Sequence, residues 1–412
     1  MNIVTKPKRV IVTPLSIYSA ILFFICLSDA IMSYITPIHL ESVTKNAFTA
    51  GLILSCSSFF GIGIDFFIAK AFGTKNYRFF LFWMLVFAAI FPIIFLVLPP
   101  KITILIAAMF FWSLYYEFRG FSNFNFVHKI VSSDKHTYAW SVISTFSYIP
   151  YALGPIIAVF LIERMFNLSL IASILSVFTS FLIFFLFILK HQKNSNLRIV
   201  PETKKSFIVE LKILGVLLKK VWPLITFQIC IALFDVSFWT TGVLFAEQLR
   251  KTEPAATFFN TVYEIPSIYV GVLATLIMVK IGKKRTAFIA SLISAILLVI
   301  ISLVTYVPGI LIFVLIASTF YGIANILLSA VFEDYIARLG HKGNDMATLS
   351  QFSWNISYAF GPIVLGYIAE VSDYSKPFLF TGTLIIISSL IALLVVPRKI
   401  RMPQAELAKI ES

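Results

Sequence analysis

Apolar runs of about 20 residues recur along the whole chain, each closed by a short polar segment. They fall near residues 14–39, 47–70, 79–98, 103–127, 138–162, 167–189, 222–247, 255–280, 285–307, 309–336, 346–371 and 376–396. About 20 residues of helix cross about 30 Å of hydrocarbon, so the pattern predicts an all-α integral membrane protein with twelve transmembrane helices. The longest polar segment, Lys190 to Lys220, sits in the middle. It divides the chain into a six-helix bundle at 1–189, a linker at 190–221, and a second bundle with a short basic tail at 222–412. The second part of the linker, FIVELKILGVLLKK, has apolar residues at helical spacing. It reads either as a basic amphipathic helix lying flat on the membrane surface or as a plain tether.

The two halves repeat. YALGPII at Tyr151–Ile157 returns as YAFGPIV at Tyr358–Val364, and the motif glycines Gly154 and Gly361 are 207 residues apart (361 − 154) in a chain of 412. Asp29 and Asp235 are 206 apart (235 − 29), and so are Glu41 and Glu247 (247 − 41). A short basic loop, KAFGTKNYR from Lys70 to Arg78, has a counterpart in KIGKKR from Lys280 to Arg285. Landmarks agreeing this closely at half-chain spacing indicate a duplicated architecture. Gly154–Pro155 and Gly361–Pro362 would break a soluble helix. In lipid, neighbouring helices re-satisfy the backbone groups that Pro frees, and Gly lets helices approach closely, so each pair predicts a seam between helices.

Composition agrees with this reading: 59% of residues are hydrophobic and 13% charged, against about 25% charged in soluble domains. Cys26, Cys56 and Cys230 lie in apolar runs and read as small buried hydrophobes. The net charge of +14 does not imply nucleic acid, because the excess lies in alternate loops. Of the 33 Lys and Arg, only Lys45, Lys101, Arg164, Arg250, Lys251 and Lys376 fall on the face opposite the chain ends, and Arg119 lies within the fourth run. The positive-inside rule then puts both termini in the cytoplasm, in a multi-pass protein of the cell membrane.

With its six-plus-six runs, long middle loop, Gly-Pro in runs 5 and 11, and Gly-plus-basic loops Gly73/Lys75 and Gly282/Lys283/Lys284/Arg285, the sequence resembles the major facilitator superfamily over essentially its whole length. The resemblance implies that spans 1, 4, 7 and 10 surround a substrate cavity. Two departures stand out. The loop motif of that family carries an Asp three residues before its Gly, where Lys70 and Val279 stand here, which implies an altered gate. Pro150 and Ala158 occupy positions that are glycine in the long motif of its drug antiporters, which weakens an antiporter reading.

Ionisable residues inside a span cost about 2.5–3.5 kcal/mol on insertion scales and point to function. Asp29, Glu117, Arg119, Asp235 and Glu264 are the candidates for proton coupling or substrate binding, with Glu264 toward the outer end of its span, where it could meet water. A carboxylate in hydrocarbon without a partner favours its protonated form, which suits a proton-coupled carrier. Arg119 either binds an anionic group or neutralises an acid. Glu117 and Arg119, two apart, do not face each other on a helix. Polar and aromatic stripes at helical spacing add Ser33, Trp112, Tyr115, Asn123, Gln228, Trp239, Tyr321 and Asn325 as candidate cavity-lining residues, beside Asn260, Tyr263 and Ser267 on span 8. Helix packing explains such stripes equally well.

A secondary transporter rocking two bundles about one central site is the leading expectation. Its substrate is a small organic solute, amphipathic or cationic and exported, with protons as the coupling ion, membrane lipids as surroundings and a monomer as the unit. Uptake symport of a sugar or other metabolite and a transport-inactive receptor are the alternatives. Enzyme chemistry is not expected: the five His lie at span ends or in loops, and HExxH, Gly-x-Ser-x-Gly and P-loop motifs do not occur. No cofactor or metal is called for.

Overall fold

The computed structural model describes residues 14–72, 75–131, 135–189, 207–340 and 343–397, with 400, 403, 404 and 406. Gly73 and linker residues 190–206 lie outside the described residues. The helices follow the apolar runs: span 1 is Pro14–Thr44, span 2 Ala47–Phe72, span 3 Tyr77–Val97, span 4 Ile102–Ile130, span 5 His136–Ile162, and span 6 Phe166–Ile183 with a π-helical end, Phe184–Leu189. In the second half, span 7 is Phe207–Trp239 continued by Thr241–Arg250, span 9 Lys283–Ile301, span 10 Val307–Leu339, span 11 Gly343–Val371 and span 12 Lys376–Val395.

Span 8 departs from the expected continuous helix. Pro254 opens a 3-10 turn, Pro254–Phe258, followed by one α-turn, Phe259–Glu264, a second 3-10 turn, Ile265–Ile268, and only then the helix Val270–Ile281. Proline has no N–H to donate and fixes φ, so each break starts at a proline. Span 7 is interrupted too, at Thr240 (φ −116°, ψ −92°). Among the described residues, ten helices are long and apolar enough to cross a membrane. The other two crossings are the broken span 8 and span 11, whose first half, GNDMATLSQFSWNIS, is polar.

The amphipathic segment of the linker does not lie as a separate surface helix. Its residues from Phe207 onward run straight into span 7, with Ile213 and Leu217 fully buried in the second hydrophobic core. One core gathers spans 1 to 6 with Val243, and the other gathers spans 7 to 12. Packing within each half uses small polar residues, as expected where lipid removes the hydrophobic drive between helices. Ser28 and Ser173 hydroxyls lie 2.6 Å apart between spans 1 and 6, and Ser291 and Ser389 lie 2.8 Å apart between spans 9 and 12. Large apolar side chains such as Phe178, Leu276 and Ile312 face outward, more than half exposed, as a lipid-facing surface requires.

The halves touch along spans 2 and 11. A Cβ on Gly51 would overlap the Pro362 carbonyl oxygen, and one on Gly366 would come 2.6 Å from the Ala47 carbonyl oxygen. On the face opposite the chain ends, hereafter the far face, polar contacts cross between the halves. Tyr34 donates to Glu247 (2.8 Å), Tyr374 to Glu41 (3.2 Å), the Ala47 amide to Glu370 (2.7 Å) and Arg250 to Glu163 (2.5 Å). Burial and then the Glu41 carboxylate push the Tyr374 phenol up to about 12, so it keeps the proton it donates.

Candidate functional site

The repeated heptapeptides supply the geometry of the site. Gly154 abuts span 1 so closely that a Cβ there would overlap the Ala30 side chain and lie 3.2 Å from the Ile31 amide. Three residues earlier, on the same helical face, Tyr151 donates its hydroxyl to Asp29. The second copy repeats the arrangement. Gly361 lies against Val236, with 2.8 Å to Cγ1 from the position of an added Cβ, and Tyr358 donates to Asp235. Each motif therefore works as a unit: the glycine brings the Gly-Pro helix against the residue after the acid, and the tyrosine one turn back reaches the carboxylate.

Asp29 is a buried hub, 4% exposed. Besides Tyr151 it accepts from Trp112 Nε1 (2.9 Å), Tyr115 (3.2 Å) and Tyr116 (3.2 Å), and Arg119 Nη1 lies 3.6 Å from Oδ2. Arg119 also donates to the Tyr115 and Tyr151 hydroxyls (3.2 and 3.3 Å). A void of about 10 Å³ opens against Asp29 among Met32, Phe91, Trp112 and Tyr115, room for about one water. The indole of Trp112 is held by stacking on Phe91, with centroids 4.8 Å apart.

The second half lacks the cation. Asp235 accepts from Tyr263 and Tyr358, and Glu264 accepts from Trp239 Nε1 (3.2 Å) and Ser267 (3.5 Å). Among the described residues neither acid has an ion-pair partner. Glu264 is 6% exposed, which corrects the expectation that it meets water: the broken span 8 folds it inward onto Trp239. The two half-sites meet where Tyr151 packs against Trp239, ring centroids 5.7 Å apart at 72°.

The other expected residues divide. Trp112, Tyr115 and Arg119 share the Asp29 hub. Asn123 does not: it accepts from Tyr18 (2.7 Å), next to the Tyr18–Ser122 bond, as a helix-packing contact. Glu117 turns to the opposite face of span 4, where a Cβ on Gly61 would lie 2.9 Å from its Oε1. Gln228 donates to Ser350 (3.1 Å), tying span 7 to span 11. Tyr321 stacks flat on Phe234 at 4.3 Å, Ser33 is buried, and Asn325 is half-buried one turn along from Tyr321. In the basic loops, Gly282 has φ +89°, Lys283 pairs with Asp334 at 2.8 Å, Lys284 donates to the Pro397 carbonyl (3.0 Å), Lys75 lies 5.7 Å from the Phe79 ring and Arg285 is exposed. Sequence reasoning passed over Tyr116 and the acid-binding role of Tyr151 and Tyr358. The signal for the last two was present, since Tyr151 and Tyr358 repeat within one residue of the spacing of the two aspartates.

Two helical halves, each with a buried acid bound by its motif tyrosine and linked through Tyr151 and Trp239, give a membrane protein of the two-bundle kind. The family model described as Major Facilitator Superfamily matches residues 17–343 and 228–411, and the chain belongs to that superfamily of multi-pass membrane transporters. No curated protein matches in sequence. Among solved structures the fold is similar to that of the peptide transporter POT in complex with sulfate, with 15% identity, a TM-score of 0.74 and coverage of 93% of this chain and 94% of that one. It is also similar to the nucleoside transporter NupG, at 12% identity, a TM-score of 0.69 and coverage of 93% and 100%. A bacterial homolog of the human lysosomal transporter Spinster, in an inward-facing and unoccupied conformation, is 11% identical, with a TM-score of 0.67 and coverage of 92% and 94%.

Proposed function

We propose that the protein moves a small organic solute across the cell membrane by alternating access, coupled to protons, with residues 1–189 and 222–412 rocking about the central acids and 190–221 joining them. Transport, and not catalysis, is the activity. The observation that carries the reading is the duplicated acid-tyrosine unit, Asp29 with Tyr151 and Asp235 with Tyr358, the first of which packs through Tyr151 against Trp239 of the other half. Two carboxylates, one beside an arginine and one held, among the described residues, by phenols, give two unequal stations for a proton, as a coupled cycle needs. The basic loops favour cytoplasmic chain ends, which makes the far face extracellular. On that reading its crossing contacts hold the carrier closed on the outside. We read the unit as a monomer surrounded by lipid, and the surplus of acids as favouring amphipathic or cationic compounds, with export and uptake both compatible with it.

Lumenal pH in lightly buffered proteoliposomes tests this, as sugars, amphipathic cations and organic acids are added in turn. A pH change triggered by one class and absent in Asp235→Asn is the expected result. Counterflow of a labelled compound with no proton movement in the wild type would remove proton coupling.

A further inference from the structure

Taking the transport reading as its basis, we infer that the second half carries a binding subsite for a primary or secondary ammonium group, formed by Asp235, Glu264 and Asn260 under the rings of Trp239, Tyr263 and Tyr151. Asn260 and Glu264 are four residues apart on the single α-turn Phe259–Glu264, so both lie on one face of it. That face meets the break in span 7: Asn260 Nδ2 donates to the Phe238 carbonyl (3.0 Å), while Glu264 accepts from the side chain of the next residue, Trp239. The remaining Asn260 oxygen, on a residue with no exposed surface, has no hydrogen-bond partner. An orphaned buried acceptor is costly, and on the same turn as Glu264 it marks a place short of donors.

The first half shows what the second lacks. There the guanidinium of Arg119 stands at 3.6 Å from the acid, whereas no Lys, Arg or His among the described residues pairs with Asp235 or Glu264. The rings complete the site: Trp239 stands 5.7 Å from Tyr151 and 6.5 Å from Tyr263, edge to face with both, a corner of aromatic surface that favours an organic cation over a hydrated metal ion. An N–H ammonium answers each feature at once. Its charge offsets the carboxylates, its N–H groups reach the Asn260 oxygen, and its apolar body lies on the rings. A quaternary ammonium has the charge but no N–H to give.

Binding to the purified full-length protein in detergent, followed by calorimetry, tests this with four probes of one shape: 2-phenylethylammonium, its trimethylammonium analogue, 2-phenylethanol and phenylacetate. The primary ammonium is expected to bind best, with the quaternary analogue weaker and the alcohol and the carboxylate weakest. Glu264→Gln, which keeps the side-chain size and an acceptor for Trp239, is expected to weaken the ammonium by about tenfold, equivalent to about 1.4 kcal/mol, with Lys101→Gln, an exposed residue away from the acids, as an unaffected control. The order of the four probes on the wild-type protein needs no variant, so it decides the matter even if Glu264→Gln misfolds. Equal binding of all four, tighter binding of phenylacetate, no binding, or an unchanged affinity in Glu264→Gln would overturn the subsite. Counterflow of some other solute by the same preparation would still leave the transport reading standing.

Discussion

Tyr358 donates to Asp235 from the motif position at which Tyr151 donates to Asp29, although the two acids sit in different surroundings. Asp29 keeps Trp112, Tyr115, Tyr116 and Arg119 when Tyr151 is lost. Among the described residues, Asp235 would keep Tyr263 alone when Tyr358 is lost. A hydrogen bond to a charged group contributes about 1.5–3 kcal/mol, so Tyr358→Phe is expected to lower the transport rate by about 10- to 100-fold and Tyr151→Phe by distinctly less. Initial rates in proteoliposomes check the order. A larger loss in Tyr151→Phe would show that equivalence of position, and not the number of remaining donors, governs the site.

The motif glycines differ in what an added methyl would meet. At Gly154 it overlaps the Ala30 Cβ and meets the span 1 backbone from 3.0 Å, which are fixed, whereas at Gly361 its nearest neighbours are side-chain atoms, Val236 Cγ1 at 2.8 Å and Leu233 Cδ2 at 3.0 Å. Overpacking costs about 1–3 kcal/mol where nothing yields. Gly154→Ala is therefore expected to lower the thermal unfolding midpoint in detergent clearly, and Gly361→Ala only slightly.

Arg119 and Asp29 form a buried pair, and removing one partner of such a pair typically costs about 3–5 kcal/mol because a charge is stranded. Arg119→Gln and Asp29→Asn are each expected to destabilise the protein, and the double variant to be more stable than the sum of the two losses predicts. Thermal unfolding of the four proteins gives the coupling. Simple additivity would mean that the 3.6 Å approach carries no interaction.

Arg250 spans the halves on the far face, holding Glu163 at 2.5 Å and Glu247 at 2.6 Å, and Glu247 in turn accepts from Tyr34. The arginine is one-fifth exposed and Glu163 more than half, so the pair with Glu163 contributes little, about 0–1 kcal/mol. A two-state carrier nevertheless shifts severalfold for such a change. Arg250→Ala, paired with a cysteine at Val43 near the end of span 1, is expected to react severalfold faster with an impermeant thiol reagent from the far face. An unchanged rate would remove these contacts from the closure.

The crossings, the halves and the acids in spans 1 and 7 were legible in the sequence because they depend on run length, spacing and the cost of charge in lipid. The breaks in spans 7 and 8 were harder. Pro254 and Pro266 were visible, but that Glu264 turns inward follows from how the 3-10 turns rotate the chain, which an unbroken helical wheel through residues 255–280 misplaces. Asn123 was assigned to the cavity because it follows Arg119 at four-residue spacing. Its partner Tyr18 is 105 positions away, and no local pattern announces it. The tyrosine-aspartate pairing was encoded as two separate repeats at nearly the same offset, and the contact itself depends on how closely the motif glycines let the helices approach.

A measurement that separates exchange from accumulation distinguishes proton coupling by Asp29 and Asp235 from a purely structural role. Proteoliposomes holding wild type, Asp29→Asn or Asp235→Asn are given one labelled solute, first at equal pH with unlabelled solute inside, then with a pH gradient and none inside. The account predicts that Asp235→Asn retains solute exchange within a few-fold of wild type but no longer accumulates label in response to the gradient. Accumulation that persists at the wild-type level in both variants would contradict it.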